Sequence, residues 1–358
     1  MDVRLTAEQL SLRDNAREVL RAECPPTVAR QALDDPDAAG WQTLWKTVVD
    51  LGWTELANPG SDGEFGAVEL TLVLEESGAA LAPIPLLSSV GAAAGVLRAC
   101  PAGVGPEVDG VLAEIACGTV AALAVHAPGS RLPGAPMTLS DGRLRGRAVA
   151  VPNLSRAELI VTLAHSADGV VAAVARRGDG VQIRSLESTD PAQPLADLDI
   201  DVEPVATAPV DIDSALAAPL VAAAADLVGV ARAALDLSVE HAKTRRQFGA
   251  PIGTFQGVKH ALADNYVSLE RARSLTQAAS VRLGAAGAWM PAALAKAAAG
   301  DAATACARAA VQVHGALGQT WEHNAHLYVR HAWQGAAQLG DSRALYQEVG
   351  RRFAEGAA

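Results

Sequence analysis

Aromatic residues make up only 4% of the 358-residue chain, so it offers no aromatic ladder on which nucleobases could stack. Basic residues are also outnumbered, with 29 Lys plus Arg against 40 Asp plus Glu, and the net charge is −11. No dense basic stripe relieves that charge, which excludes nucleic acid as a partner while leaving room for a locally basic pocket around a small anion. The four cysteines, Cys24, Cys100, Cys117 and Cys306, stand far apart and form no C-x-x-C pair. Neither a disulfide framework nor a zinc ribbon is therefore signalled, and a reducing cytoplasm is the expected compartment. Long unbroken apolar runs are missing too. Residues 77–97 are interrupted by Pro83 and Pro85, and residues 215–235 carry Pro219, Asp226 and Arg232, so neither stretch reads as a membrane span. Residues 1–21 mix Asp, Arg and Glu with periodic leucines, unlike a secretory signal.

Half of the residues are hydrophobic, and with aromatics scarce that mass comes from Ala, Val and Leu, which suit closely packed helices. Three textures follow one another. Over residues 1–116 the apolar spacing is helical and is broken by loop signals at 24–26, 34–37 and 58–63. Over residues 117–210 short β-rich runs appear at 120–125, 144–151, 159–163 and 169–174. They are separated by turn clusters containing Asp141-Gly142, Asp168-Gly169 and Asp179-Gly180, which predicts hairpins and a small antiparallel β domain. Over residues 211–358 long helical patterns return at 215–243, 255–283 and 291–313, and a fourth begins at His323, which predicts an antiparallel four-helix bundle.

The most informative segment is Thr244-Arg245-Arg246-Gln247-Phe248-Gly249-Ala250-Pro251-Ile252-Gly253-Thr254-Phe255-Gln256, lying between two long helices. Its arginines supply a fixed cation and a forked donor, while Gly249 and Pro251 set a tight connection, a corner suited to a diphosphate or simply to a solvated turn. The pattern R-x-x-F-G-x-P-I-x-x-F-Q resembles the C-terminal bundle of the acyl-CoA dehydrogenase family. The similarity extends to Leu51-Gly52-Trp53, the glycine-rich stretch 60–66, Glu75-Glu76-Ser77-Gly78, the β segment 144–161, and Gln312-Val313-His314-Gly315 followed by Trp321-Glu322-His323. The resemblance implies FAD seated between the β domain and the bundle, its diphosphate and adenosine reaching a neighbouring subunit. It places Arg245, Phe248, Gln256, Gln312 and Gly315 at positions that meet the other subunit's FAD, with Ala316 where a second glycine is usual.

The chain departs from the family where chemistry is done. That reaction removes a proton α to a thioester carbonyl, which needs a carboxylate base. Counted from Arg330, the usual base position is Leu339, followed by Gly340, and the alternative position in the first bundle helix reads Ala217-Ala218-Pro219-Leu220. The loop and strand that would touch the flavin ring read Ala127-Pro128-Gly129-Ser130-Arg131 and Val151-Pro152-Asn153, without the family's acidic residue or its Trp, and Asp341 replaces a Thr. This pattern is similar to the shorter subunits of actinobacterial heteromeric (α2β2) acyl-CoA dehydrogenases. It implies a base-less subunit that completes the FAD site of a catalytic partner, the acyl-CoA, a steroid side-chain thioester being one candidate, sitting mainly in that partner.

Two alternatives accompany this reading: a homo-oligomeric dehydrogenase with a displaced base such as Asp341, and a non-enzymatic scaffold. Asp341 also reads as a helix N-cap ahead of Arg343, and Glu322, His323, His326 and His331 read as a dipole-favoured helix start rather than a metal site. The Ala-rich bundle faces are expected to meet the partner.

Overall fold

The computed structural model describes residues 5–35, 40–57, 66–101 and 105–356. The loop signals at 36–37 and 58–63, and the glycine-rich stretch 60–66 apart from Gly66, lie outside the described residues.

The N-terminal part is helical: α1 (Ala7–Glu23), α2 (Pro26–Asp34), α3 (Gly40–Asp50), α4 (Ala67–Ala79), α5 (Ala94–Arg98) and α6 (Pro106–Ala116). A π-helical stretch, Leu87–Ala93, runs directly into α5. Within it the buried Ser89 hydroxyl donates to the Ala121 carbonyl at 3.0 Å and accepts the Ala121 amide at 2.9 Å, tying the helical layer to the sheet.

Eight strands follow: β1 (Ala121–Ala124), β2 (Met137–Ser140), β3 (Arg143–Pro152), β4 (Leu159–Ser166), β5 (Gly169–Arg176), β6 (Val181–Ser185), β7 (Leu195–Val202) and β8 (Ala206–Pro209). They form one sheet in the order β6-β7-β3-β2-β4-β5-β8, with β1 added beside β4. The expectation of an antiparallel sheet needs correction, because β1 and β2 both pair with β4 in parallel. Strands β1 and β4 are buried on both faces through Ala164, the setting in which parallel pairing is found. Asp141-Gly142 and Asp168-Gly169 turn the hairpins β2–β3 and β4–β5. Asp179-Gly180 does not turn a hairpin, since β5 pairs with β8 and β6 pairs with β7.

The C-terminal helices are α7 (Ile212–Thr244), α8 (Gln256–Ser280), α9 (Trp289–His314), α10 (Ala325–Ala337) and α11 (Ser342–Ala354). The fourth arm of the expected bundle is thus two helices broken at 338–341. A short two-stranded turn, β9 (Arg246–Gln247) with β10 (Ala250–Pro251), joins α7 to α8. Helix α7, started by the Asp211 carboxylate accepting from the Ser214 amide, is long and apolar enough to cross a membrane, but its apolar stretch is buried inside the chain. It crosses α4 with backbones in contact: a methyl group at Gly229 would lie 1.9 Å from the Glu75 carbonyl oxygen, and one at Gly78 2.1 Å from that of Asp226.

The small side chains that permit such packing face inward. Ala292, Ala295, Ala299, Ala302 and Ala303 of α9 are fully buried within the chain, so the expectation that Ala-rich faces meet a partner is overturned. Close helix packing inside one chain already uses them. Exposed apolar residues are scattered, among them Leu51, Trp321, Trp333 and Phe353, with one group, Phe248, Phe255, Tyr266 and Val267, around the α7–α8 turn and the first half of α8.

Candidate functional site

A cavity of about 420 Å³ lies where the three parts of the chain meet, walled by Ile84 and Leu87, by strand residues such as Val125 and Val151, and by Leu227 and Leu339 of the helical layer. Its size suits a small-molecule site. The turn carrying Leu339 is held firmly. Leu339 and Gly340 both have left-handed backbones, φ +56° and +97°, and the Leu339 amide donates to His126 Nε2 at 3.2 Å. The fully buried Lys296 ammonium donates to the carbonyls of Ala336 at 3.1 Å and Gly340 at 3.2 Å. Burial pushes Lys296 down to about 7, against the pull of Asp341 and Asp301, and burial with the Lys296 charge pushes His126 down to about 4.

The carboxylates around the cavity are mostly committed. Asp341 caps α11, accepting the Ala344 amide at 2.8 Å, and pairs with Arg131 at 2.6 Å. The Arg131 hydrogen bond holds its carboxyl below the usual range, which disfavours proton uptake. Two departures that stand 210 residues apart in the chain are therefore one ion pair at the cavity wall. Deeper in, His331 on α10 donates from Nδ1 to Asp190 and from Nε2 to Asp226 on α7, each at 2.8 Å. Burial alone would lower this imidazole, but Asp226 and Asp190 together hold it well above its ordinary value, so it is a cation between two acids. Glu187 at the rim is exposed.

The strand wall at 149–153 offers little to a flavin ring. The amides of Val149, Ala150 and Asn153 donate to His126 O, Asp197 Oδ1 and Pro194 O, and Pro152 has no amide hydrogen. The Asn153 side chain is taken by Gln193 at 2.8 Å and Arg156 at 3.0 Å. The amides of Val149, Ala150 and Asn153 are thus all engaged within the chain.

The five residues expected to meet another subunit's cofactor lie elsewhere and are all exposed: Arg245, Phe248, Gln256, Gln312 and Gly315. Arg245 ends α7, Gln256 opens α8, and Gln312 lies just before the end of α9, which Gly315 closes. Phe248 is 95% exposed with φ +51°, its ring edge-on to Phe255 at 6.1 Å. His241, one turn before Arg245, lies 4.0 Å in ring-centroid distance from His314, which joins the ends of α7 and α9 into one corner. Spacing in the sequence gave no sign of that contact. No group of three His, Cys, Asp or Glu side chains among the described residues is arranged to hold a metal.

The Acyl-CoA dehydrogenase, N-terminal domain family matches residues 6–100, and the Acyl-CoA dehydrogenase, C-terminal domain family matches residues 213–352. The chain belongs to the acyl-CoA dehydrogenase family. Members are FAD-dependent oxidoreductases. Acyl-CoA dehydrogenase IpdE2 of Mycobacterium tuberculosis is 31% identical, the alignment covering 97% of this chain and 96% of that protein. Among solved structures, the ChsE4-ChsE5 complex of M. tuberculosis is similar with a TM-score of 0.87, 27% identity and 99% coverage of both chains. A variant of the Tcur3481-Tcur3483 steroid ACAD gives the same TM-score and identity with 98% coverage of both.

Proposed function

We propose that this acyl-CoA dehydrogenase chain is the base-less subunit of a heteromeric (α2β2) enzyme and completes the FAD site of a catalytic partner. The observation that carries the reading is Leu339, an aliphatic side chain in the cavity wall where the family resemblance puts the proton-abstracting glutamate. The engaged amides of 149–153 support it from the other side of the same cavity. The partner supplies the glutamate and most of the acyl-CoA pocket, and FAD, when bound, accepts the hydride. This chain contributes Arg245, which grips phosphate oxygens in two-point geometry, the Phe248 ring, the Gln256 and Gln312 amides, and Gly315, where the backbone can approach the cofactor closely. Two heteromeric solved structures among its neighbours, one described as a steroid ACAD, support a partner and a steroid side-chain CoA substrate. Four free thiols support a reducing, cytoplasmic setting.

Arg245→Ala tests the reading in the complex formed with the product of the neighbouring gene. Retained FAD, read from the flavin absorbance of the purified complex, should fall several-fold while the complex stays assembled. Unchanged flavin content would support the scaffold alternative instead.

A further inference from the structure

The corner around Arg245 is more basic than its motif alone conveys. His241, His314 and His323 form a column, with ring centroids 4.0 Å apart for the first pair and 4.2 Å for the second. The charges that face it are also basic. Arg245 acts on His241, and His326 and Arg30 act on His323, while Arg330 and Arg30 act on His326. The nearby carboxylates are turned to other uses: exposed Glu322 faces Arg30, and Glu240 pairs with Lys243 at 2.7 Å. Burial and the neighbouring histidines lower His241 and His323 below the ordinary imidazole value, which disfavours a charge on either ring while no anion is bound.

Two buried donors or acceptors at this corner have no hydrogen-bond partner, Arg30 Nε and His326 Nε2. Arg30 otherwise donates from its Nη2 to the Glu322 carbonyl at 3.2 Å and to Asn324 Oδ1 at 2.6 Å. Unpaired polar atoms in a cluster where Arg245, Arg30 and Arg330 face Glu322 as the near carboxylate, in a chain of net charge −11, mark a place suited to an anion. The hydrogen bonds also say which imidazole nitrogen can accept a proton. His314 Nδ1 lies 2.7 Å from the Ala310 carbonyl and must carry hydrogen, leaving its Nε2 lone pair available. His323 Nδ1 accepts the Ala325 amide at 3.1 Å, which fixes its hydrogen on Nε2, ready to donate.

We propose that the His241–His314–His323 column is a proton-linked diphosphate seat: when the diphosphate of an adenine dinucleotide docks beside Arg245, the column takes up a proton and becomes a counter-cation. The inference rests on the shared-FAD reading and deepens it. By reciprocity, an anion that raises proton affinity is itself bound more tightly as pH falls. The histidines then make this chain's grip on the partner's cofactor sensitive to pH in the range 6–8.

The test uses the full-length chain and ADP-ribose, whose diphosphate diester keeps both charges throughout pH 6–8. Calorimetric titrations in buffers of different ionisation enthalpy count protons taken up on binding. The expected result is binding about tenfold tighter at pH 6 than at pH 8, with net proton uptake at pH 7. In the triple variant His241→Gln, His314→Gln, His323→Gln the pH dependence should fall below about twofold, with an unchanged circular dichroism spectrum reporting the fold. Equal affinity at both pH values without proton uptake, or an undiminished pH dependence in the triple variant, overturns the proton link while leaving the Arg245 corner as an anion site. Absence of ADP-ribose binding at either pH overturns the corner reading as well.

Discussion

Replacing His331 with Leu removes the cation between two buried acids. The wild-type imidazole touches Asp190 in the 186–194 connection between β6 and β7, and Asp226 in α7, so it links the sheet to the bundle through three elements that share no local sequence. The three residues are 4 to 7% exposed, and the variant leaves both carboxylates buried without a counter-charge. Removing one partner of a buried ion pair typically costs about 3–5 kcal/mol, and the leucine regains little because it cannot satisfy either acid. The pH dependence has a definite sign. Because the folded pKa of His331 lies well above the unfolded value, its contribution is fully present below pH 6.5 and fades as pH rises through the folded pKa. Urea unfolding followed by tryptophan fluorescence at pH 6 and pH 9 measures this directly. The variant should lose about 3–5 kcal/mol at pH 6 and a smaller amount at pH 9. A loss under about 1 kcal/mol at pH 6, or an identical loss at both pH values, would refute the argument.

Two further substitutions examine separate parts of the account. Asp341→Asn keeps a good helix cap while giving up a half-exposed ion pair with Arg131 and its pull on Lys296, so the assembled complex should keep its turnover within about twofold and its stability within about 1 kcal/mol. Abolished turnover would make Asp341 the base. Gly229→Ala forces a methyl group into the Glu75 carbonyl, where only backbone movement relieves the clash, and should destabilise the chain by about 3 kcal/mol or more in the same unfolding assay.

The order of the three textures was legible because each has its own periodicity: 3.6 residues in the helices, short apolar runs with turn residues in the sheet. Asp141-Gly142 and Asp168-Gly169 read correctly as hairpins. Asp179-Gly180 did not, because the partner of β5 is the distant β8, and local turn chemistry carries no information about that choice. Strand β7 was overlooked although its pattern of Leu195, Asp197, Leu198, Asp199, Ile200 and Asp201 holds a detectable alternation. The parallel pairing of β1 with β4 depends on helices that cover both faces, which only the tertiary structure supplies.

At the candidate site, Leu339 and Arg245 are singled out by the family resemblance, and their roles belong to the proposal. The long-range pairings were not legible in the sequence. Arg131 and Asp341 read as two separate losses and are one ion pair, and His241 and His314 are 73 positions apart yet in ring contact. Asp190 and Asp226 gave no signal of flanking His331, since two isolated acids in apolar surroundings look like ordinary helix or loop residues until the fold joins them.

The central claim is that this chain grips another subunit's FAD and holds none of its own. Counting FAD per chain in the purified complex with the neighbouring gene's product, against the chain expressed alone, tests it most directly. The account predicts a colourless, inactive chain when expressed alone and a yellow, active complex carrying one FAD for each pair of unlike chains. A homo-oligomer of this chain that is fully flavinated and oxidises acyl-CoA without a partner would contradict it.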